Sequence, residues 1–328
     1  MKKSLIALAA LATLATAGTA MAQSSVTIYG IIDNSVGGQK LLGKGTESKM
    51  FHGGNGGLKT SRLGFRGTED LGGGLKAQFK LEQRMDTDTG AQQAPMFKAE
   101  STLGLSGGFG TLRVGRMVTQ YDDIRALSYS SNIFDSAFTP ASNGVFGSGG
   151  DYSSRFNNQI RYEMPAIGGL YGGLSYAFEQ TADRKDTMAG FMLGYKGGPL
   201  NVALGYQDEK TKSKYTALSG SYDFGVLSLS GGYNHRNGTA ATGKDNEYTF
   251  GVNVPMGAIN LSAGYANSKT KVNGVTTSKS DGFGLGATYT LSKRTRLYAG
   301  YRAHTVKNTA GVKTADTTIY AVGVRHDF

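Results

Sequence analysis

The chain has 328 residues, with 35 Lys+Arg against 24 Asp+Glu and no cysteine. The missing cysteines exclude a disulfide scaffold, thiol catalysis and Cys-ligated zinc. The 50 glycines, five prolines and 18 tyrosines favour strands and tight turns over helices, and the basic excess is spread rather than clustered, which argues against a nucleic-acid partner.

Residues 1–22 read as an export signal. Lys2 and Lys3 form a basic start, Leu5 to Ala17 an apolar run, and Ala20-Met21-Ala22 a small-x-small cleavage site. The apolar run is short of the roughly 20 residues that a spanning helix needs. No later run approaches that length, so membrane entry would have to be as a barrel. Residues 23–328 are expected to form one domain.

That domain opens on a strand near 25–36, with Val26, Ile28 and Ile32 on one face and Thr27, Tyr29 and Asp33 on the other. KTSRLGFRG (59–67) sets Leu63 and Phe65 opposite Arg62, Gly64 and Arg66. After the turn EDLGGG, residues 75–84 alternate most clearly: Leu75, Ala77, Phe79 and Leu81 against Lys76, Gln78, Lys80, Glu82 and Arg84. The pattern recurs near 99–106, 111–117, 156–164, 170–179, 187–196, 200–207, 213–223, 226–236, 246–254, 258–267, 280–291, 294–305 and 316–328, which makes 16 strands. Linkers after even-numbered strands are short, and those after odd-numbered strands are longer and polar. Short turns at one end, long loops at the other and an even strand count mark a transmembrane β-barrel. The apolar face then points to lipid and the polar face to water, and 16 strands leave a wet lumen. Tyr176, Phe178, Tyr195, Tyr206, Tyr222, Tyr233, Tyr265, Tyr289 and Phe328 suit interfacial girdles. The last strand must pair on both edges, and the first strand is the simplest partner for its free edge.

The third long linker, residues 118–155, breaks the pattern. It contains a short helical stretch, Tyr121 to Leu127, and then Ile133, Phe134, Phe138, Val145 and Phe146, too apolar for an exposed loop. A wide barrel can bury such residues in its own interior, so the loop is expected to fold inward and narrow the pore.

With these residues in hand, the chain resembles the Gram-negative general porins, and most closely their β-proteobacterial branch. The likeness rests on VTIYGIID, SRLGFRGTEDLGGGLKAQFKLE, GLSGGFGTLRVGR and a last strand ending in phenylalanine. It implies a homotrimer of 16-stranded barrels in the bacterial outer membrane, among its lipid and lipopolysaccharide. It also implies passive diffusion of small hydrophilic solutes and ions, and a terminal Phe328 read by the barrel-assembly machinery. The family's constriction sets wall arginines against acids on the inward loop. These positions fall on Arg62 and Arg155, and on Asp122 and Asp123. A further family arginine is replaced here by Ala99, beside Lys98.

Strand phase puts Arg62, Arg66, Lys76, Lys80, Arg84, Arg113, Arg155, Arg161, Arg296, Arg302 and Arg325 in the lumen, against Asp33, Glu82, Glu163 and Asp327. Eleven against four predicts a mild preference for anions. Arg62, Lys80, Arg113, Arg155 and Arg161 are the expected basic wall of the constriction, with Asp122 and Asp123 the acidic loop. A substrate-specific channel for phosphate or small organic anions is the alternative. His52, His235, His304 and His326 share no motif with a serine and no metal-ligand spacing. No catalytic site, cofactor or metal is therefore expected.

Overall fold

Most strands of this chain carry mainly small or polar side chains on one face and aliphatic or aromatic ones on the other. A sheet of such strands separates two media, and closing it into a ring leaves no sticky edge. The computed structural model describes residues 25–52, 56–128, 136–140, 152–179 and 186–328. The export signal and the loop residues Ile133, Phe134, Val145 and Phe146 lie outside them.

The described residues form β1 (Ser25–Leu41), β2 (Thr46–His52), β3 (Arg62–Gly72), β4 (Leu75–Asp86), β5 (Ala91–Gln92), β6 (Glu100–Gly107), β7 (Gly110–Val118), a helix α1 (Gln120–Leu127), β8 (Arg155–Glu163) and β9 (Leu170–Ala177). There follow β10 (Met188–Gly197), β11 (Leu200–Glu209), β12 (Ser213–Asp223), β13 (Ser228–Gly238), β14 (Lys244–Met256), β15 (Ile259–Val272), β16 (Val275–Thr290), β17 (Thr295–Asn308) and β18 (Lys313–Asp327). Each stave pairs antiparallel with the next. β1 pairs with β18 from Ile31↔Asp327 to Leu41↔Thr317, which closes a barrel of 16 staves. At the seam Gly30 and Phe328 exchange backbone hydrogen bonds of 3.0 Å.

Two strands fall outside the expected set. β5 is a short ribbon against Met85 and Asp86 in the second long loop. β2 and β3 lie along the same edge of β1 as one interrupted stave: β2 pairs with Asn34–Lys40 and β3 with Ser25–Ile31. The first strand is also longer than its sequence suggests, because Gly37 and Gly38 resemble the start of a loop. In fact β1 continues to Leu41 and turns back into β2. Between β2 and β3, residues 56–61 lie off the wall as an excursion pinned by Asp33. The Asp33 carboxylate accepts the N–H groups of Leu58 (3.1 Å) and Lys59 (2.9 Å) and the Tyr298 hydroxyl (2.5 Å).

The sides of the wall are the reverse of those in a water-soluble domain. Leu103, Leu174, Leu193, Phe250, Val322 and Val324 are exposed on the outside, while Gln159, Ser175, Gln207, Asn234 and Thr249 are buried on the inside. The inner face does include apolar groups, among them Met192, Ala203, Tyr215, Ala217, Ala266 and Tyr298. These form one cluster with Phe51 of β2 and with Leu58, Tyr121, Ile124 and Phe138 from the inward segments. Apolar residues on the wet face thus mark where a loop covers the wall.

The pore constriction as candidate functional site

Residue 118 ends β7, and the chain turns into the lumen. Thr119 caps α1, its hydroxyl accepting the Asp122 N–H at 3.3 Å, with Asp122 and Asp123 in the first turn where the helix dipole favours acids. The Gln120 N–H donates to the Ser175 hydroxyl (3.2 Å), the Tyr121 hydroxyl to Asn234, and Ile124 is fully buried against β10–β13. A Cβ at Gly205 would collide with Ile124, and one at Gly300 with the Phe138 ring. Farther along, the Ala137 N–H donates to the Gly57 carbonyl at 3.2 Å, so the third loop meets the excursion of residues 56–61. The inward fold of the loop is therefore as expected. The helix lies against β9–β13, across the lumen from β3 to β7.

On that wall the expected basic residues do not stand alone. Arg62 pairs with Glu82 at 3.1 Å, and Lys80 with Glu82 at 3.8 Å and Glu100 at 2.7 Å. Arg113 holds Glu100 at 3.1 Å and Glu163 at 2.7 Å. Arg161 holds Glu163 at 2.8 Å and reaches Asp123 on the loop. Four bases and four acids alternate across the wall as a ladder with no net charge, and its last rung ties the loop to β8. Alternation follows from the pleat: inward residues two apart on one strand, and those offset diagonally across the ladder, are near enough for long side chains to pair.

Two guanidiniums at the loop-side end stand outside this ladder. Arg84 is cross-strand partner to Arg62 and lies beside Arg155, facing Asp122. The Arg155 Nε donates to the Ala99 carbonyl at 3.0 Å and its Nη1 to the Ser154 hydroxyl at 3.4 Å. Among the described residues no carboxylate pairs with Arg84 or Arg155. Asp122 opposite accepts the Tyr152 hydroxyl at 2.6 Å and is 3.6 Å from Arg125. Burial, with the Asp122 carboxylate beside it, pushes the Tyr152 phenol well above its ordinary value, so it remains a donor to Asp122.

The charge count made from strand phase needs correction. Glu100, Glu209, Asp245 and Glu247 are also buried on the inner face, so the eleven bases meet more than four acids. Glu100 opens β6, and its phase is readable from Leu103 and Leu105, which face lipid. Strand phase assigns Arg84 to the lumen but not to the constriction. It supplies the third guanidinium beside Arg62 and Arg155 that Ala99 does not. At the other end of the molecule, Phe328 is half-exposed at the seam.

This geometry has known counterparts. The family model described as Gram-negative porin matches residues 7–310. Outer membrane porin protein 32 of Delftia acidovorans is 38% identical, covering 99% of this chain and 95% of that protein. An outer membrane porin protein of Bordetella pertussis is 34% identical, covering 100% of both chains. Among solved structures, an anion-selective porin from Comamonas acidovorans superposes with a TM-score of 0.76 at 30% identity, covering 93% of this chain and 100% of that one. The OmpT protein of Vibrio cholerae, in a trimer form, shares the fold at 17% identity and a TM-score of 0.71, covering 93% of this chain and 99% of that one. This sealed wall, oily outside and wet inside, thus belongs to a chain matched along nearly its whole length by outer membrane porins, and the chain belongs to the Gram-negative porins, outer-membrane channels for the diffusion of small hydrophilic solutes.

Proposed function

We propose that this channel prefers anions and that Arg84 and Arg155, facing Asp122, set the preference. The observation that carries this reading is the pair of guanidiniums left without a carboxylate above a ladder whose own charges cancel. A related solved porin described as anion-selective supports it. In a narrow aqueous pore the charges act at separations below the Debye length of about 8 Å, so salt does not screen them away. Arg62, Lys80, Arg113 and Arg161 contribute mainly by holding Glu82, Glu100, Glu163 and Asp123 in place. With Asp122 across the gap, the two free arginines impose a transverse field that favours dipolar solutes.

In this reading residues 1–22 are removed on export, residues 118–155 are the constriction loop, and three copies assemble in the outer membrane. The barrel-assembly machinery reads Phe328, and lipopolysaccharide surrounds the trimer. The test is the reversal potential of the purified channel in a planar bilayer under a salt gradient. Arg84→Ala with Arg155→Ala should move it toward cations by more than Arg62→Ala with Arg113→Ala moves it. An unchanged potential in the first pair rejects the assignment, and saturable, competitor-blocked current would mark a substrate-specific channel instead.

A further inference from the structure

The outward face of β14–β18 can be read in cross-strand rows. At the turn end Met256, Ile259, Tyr289, Leu297 and Val324 lie in register, and above them come three more apolar rows. The next is Tyr248, Asn267, Asp281, Thr305 and Asp316. Then Asn246 is followed by Lys269, Lys279, Lys307 and Lys313, four lysines opposed on four adjacent strands. Lys271 and Lys244 oppose each other one row higher. All six lysines are exposed, and their phase is that of the lipid-facing residues below.

Like charges directly opposite on a ladder are destabilising, and their persistence across four strands needs a counter-charge. The wall does not supply one. Asp281 is engaged by the Tyr265 hydroxyl (2.7 Å) and the Asn267 amide (2.9 Å), and Asp316 is taken by Lys313 (2.8 Å). Among the described residues Lys244, Lys269, Lys271, Lys279 and Lys307 make no ion pair. The row lies ten residues above the lowest apolar row of β14. At ~3.3 Å per residue and a tilt of ~40°, that is about 25 Å along the membrane normal, the height of a barrel's apolar band. The lysines therefore stand at headgroup level on the long-loop side, which in such barrels faces outward from the cell. Below them the apolar face is hollowed where Ala263, Ala287 and Ala299 replace large side chains, between Leu261, Leu285 and Tyr301.

We propose that this lysine row binds a phosphate-bearing glycolipid of the outer leaflet, its phosphates bridging Lys269, Lys279 and Lys307 and an acyl chain lying in the hollow beneath. This places residues on the lipopolysaccharide contact of the proposed function and rests on that reading. The bridging phosphates remove the repulsion between opposed lysines, and the hollow gives the chain a surface that a smooth wall lacks.

The test uses Lys269→Ser, Lys279→Ser and Lys307→Ser together, with Lys293→Ser and Arg294→Ser at the turn end as control. Each barrel is titrated in nanodiscs with a bisphosphorylated glycolipid and with its dephosphorylated form, and bound lipid is counted by native mass spectrometry. Exposed serines relieve repulsion, so the triple variant should fold, which unchanged bilayer conductance verifies. The expected result is about a hundredfold weaker binding of the phosphorylated lipid by the triple variant, no change in the control, and weak binding of the dephosphorylated lipid to all. Equal binding by wild type and triple variant overturns the site, as does equal binding of both lipids by wild type. Loss of the oligomer in the triple variant would instead make this face a contact between copies and also overturns it. A normal conductance alongside lost lipid binding separates failure here from failure of the channel reading. For a variant that does not fold, Lys279→Arg in place of the triple should keep binding; losing it there overturns the charge argument.

Discussion

At the scale of single residues, the constriction is governed by which charges are cancelled. Glu100 sits between Lys80 and Arg113, 11% exposed, and takes one oxygen to each. Neutralising it leaves the ladder with one uncancelled positive charge, since Lys80 and Arg113 keep only Glu82 and Glu163. Glu100→Gln should therefore shift the reversal potential toward anions, opposite in sign to the Arg84 and Arg155 substitutions. Lys80→Ala removes the base between two carboxylates and should shift it toward cations, at a stability cost below the ~3–5 kcal/mol of a fully buried broken pair, since Lys80 is about one-third exposed. Tyr152 gives a pH prediction. A free tyrosine loses its proton near pH ~10, but the Tyr152 phenol lies well above that, so its bond to Asp122 persists as pH rises. Single-channel conductance should then lack a step from Tyr152 between about pH 8 and 10, while Tyr152→Phe should increase open-channel noise at any pH in that range.

At the scale of elements, the third loop has its own small core, and its stability can be separated from that of the wall. Ile124 is fully buried against Gly205, and Phe138 against Gly300 and Tyr298. Ile124→Ala deletes buried methyl groups, a change worth about 2–5 kcal/mol in a packed core. The loss falls on the docking of α1, because the hydrogen-bond ladder of the wall does not run through it. Protease nicking within residues 118–155 and conductance noise should both rise, while the thermal unfolding of the barrel, followed by gel mobility, should stay unchanged. The helix itself was legible as the stretch Tyr121 to Leu127, which the structure begins one residue earlier at Gln120. The excursion at 56–61 was not, since its pinning depends on Asp33 and Tyr298 from distant strands.

At the scale of the whole molecule, a lipid-facing charge and a lumen-facing change should differ sharply. Leu193, in the middle of β10, is 52% exposed to the outside. Leu193→Arg should cost about 2–4 kcal/mol in reversible urea unfolding from lipid vesicles. Thr27→Asn on the inner face of β1 should cost under about 1 kcal/mol, because a polar side chain there is exposed to the lumen and meets water. The 16 staves, their inside and outside, the two kinds of linker and the inward third loop could all be read from the chain, each being written in period two or in linker length. Phe79 and Val324 do face outward, as that reading required.

The amino-acid order thus determined the medium on each side of every strand, since burial in lipid or in water selects side chains locally, two residues at a time. Which charges touch was decided only by tertiary structure. Glu100 pairs with Arg113 because the register of β6 on β7 sets Arg113 opposite Gly104, whose missing side chain lets the guanidinium run along β6 to Glu100, and Arg84 joins Arg155 because Arg155 reaches across to the Ala99 carbonyl beside β4. Coulomb energies depend on distances between strands far apart in sequence, and no local pattern encodes those distances.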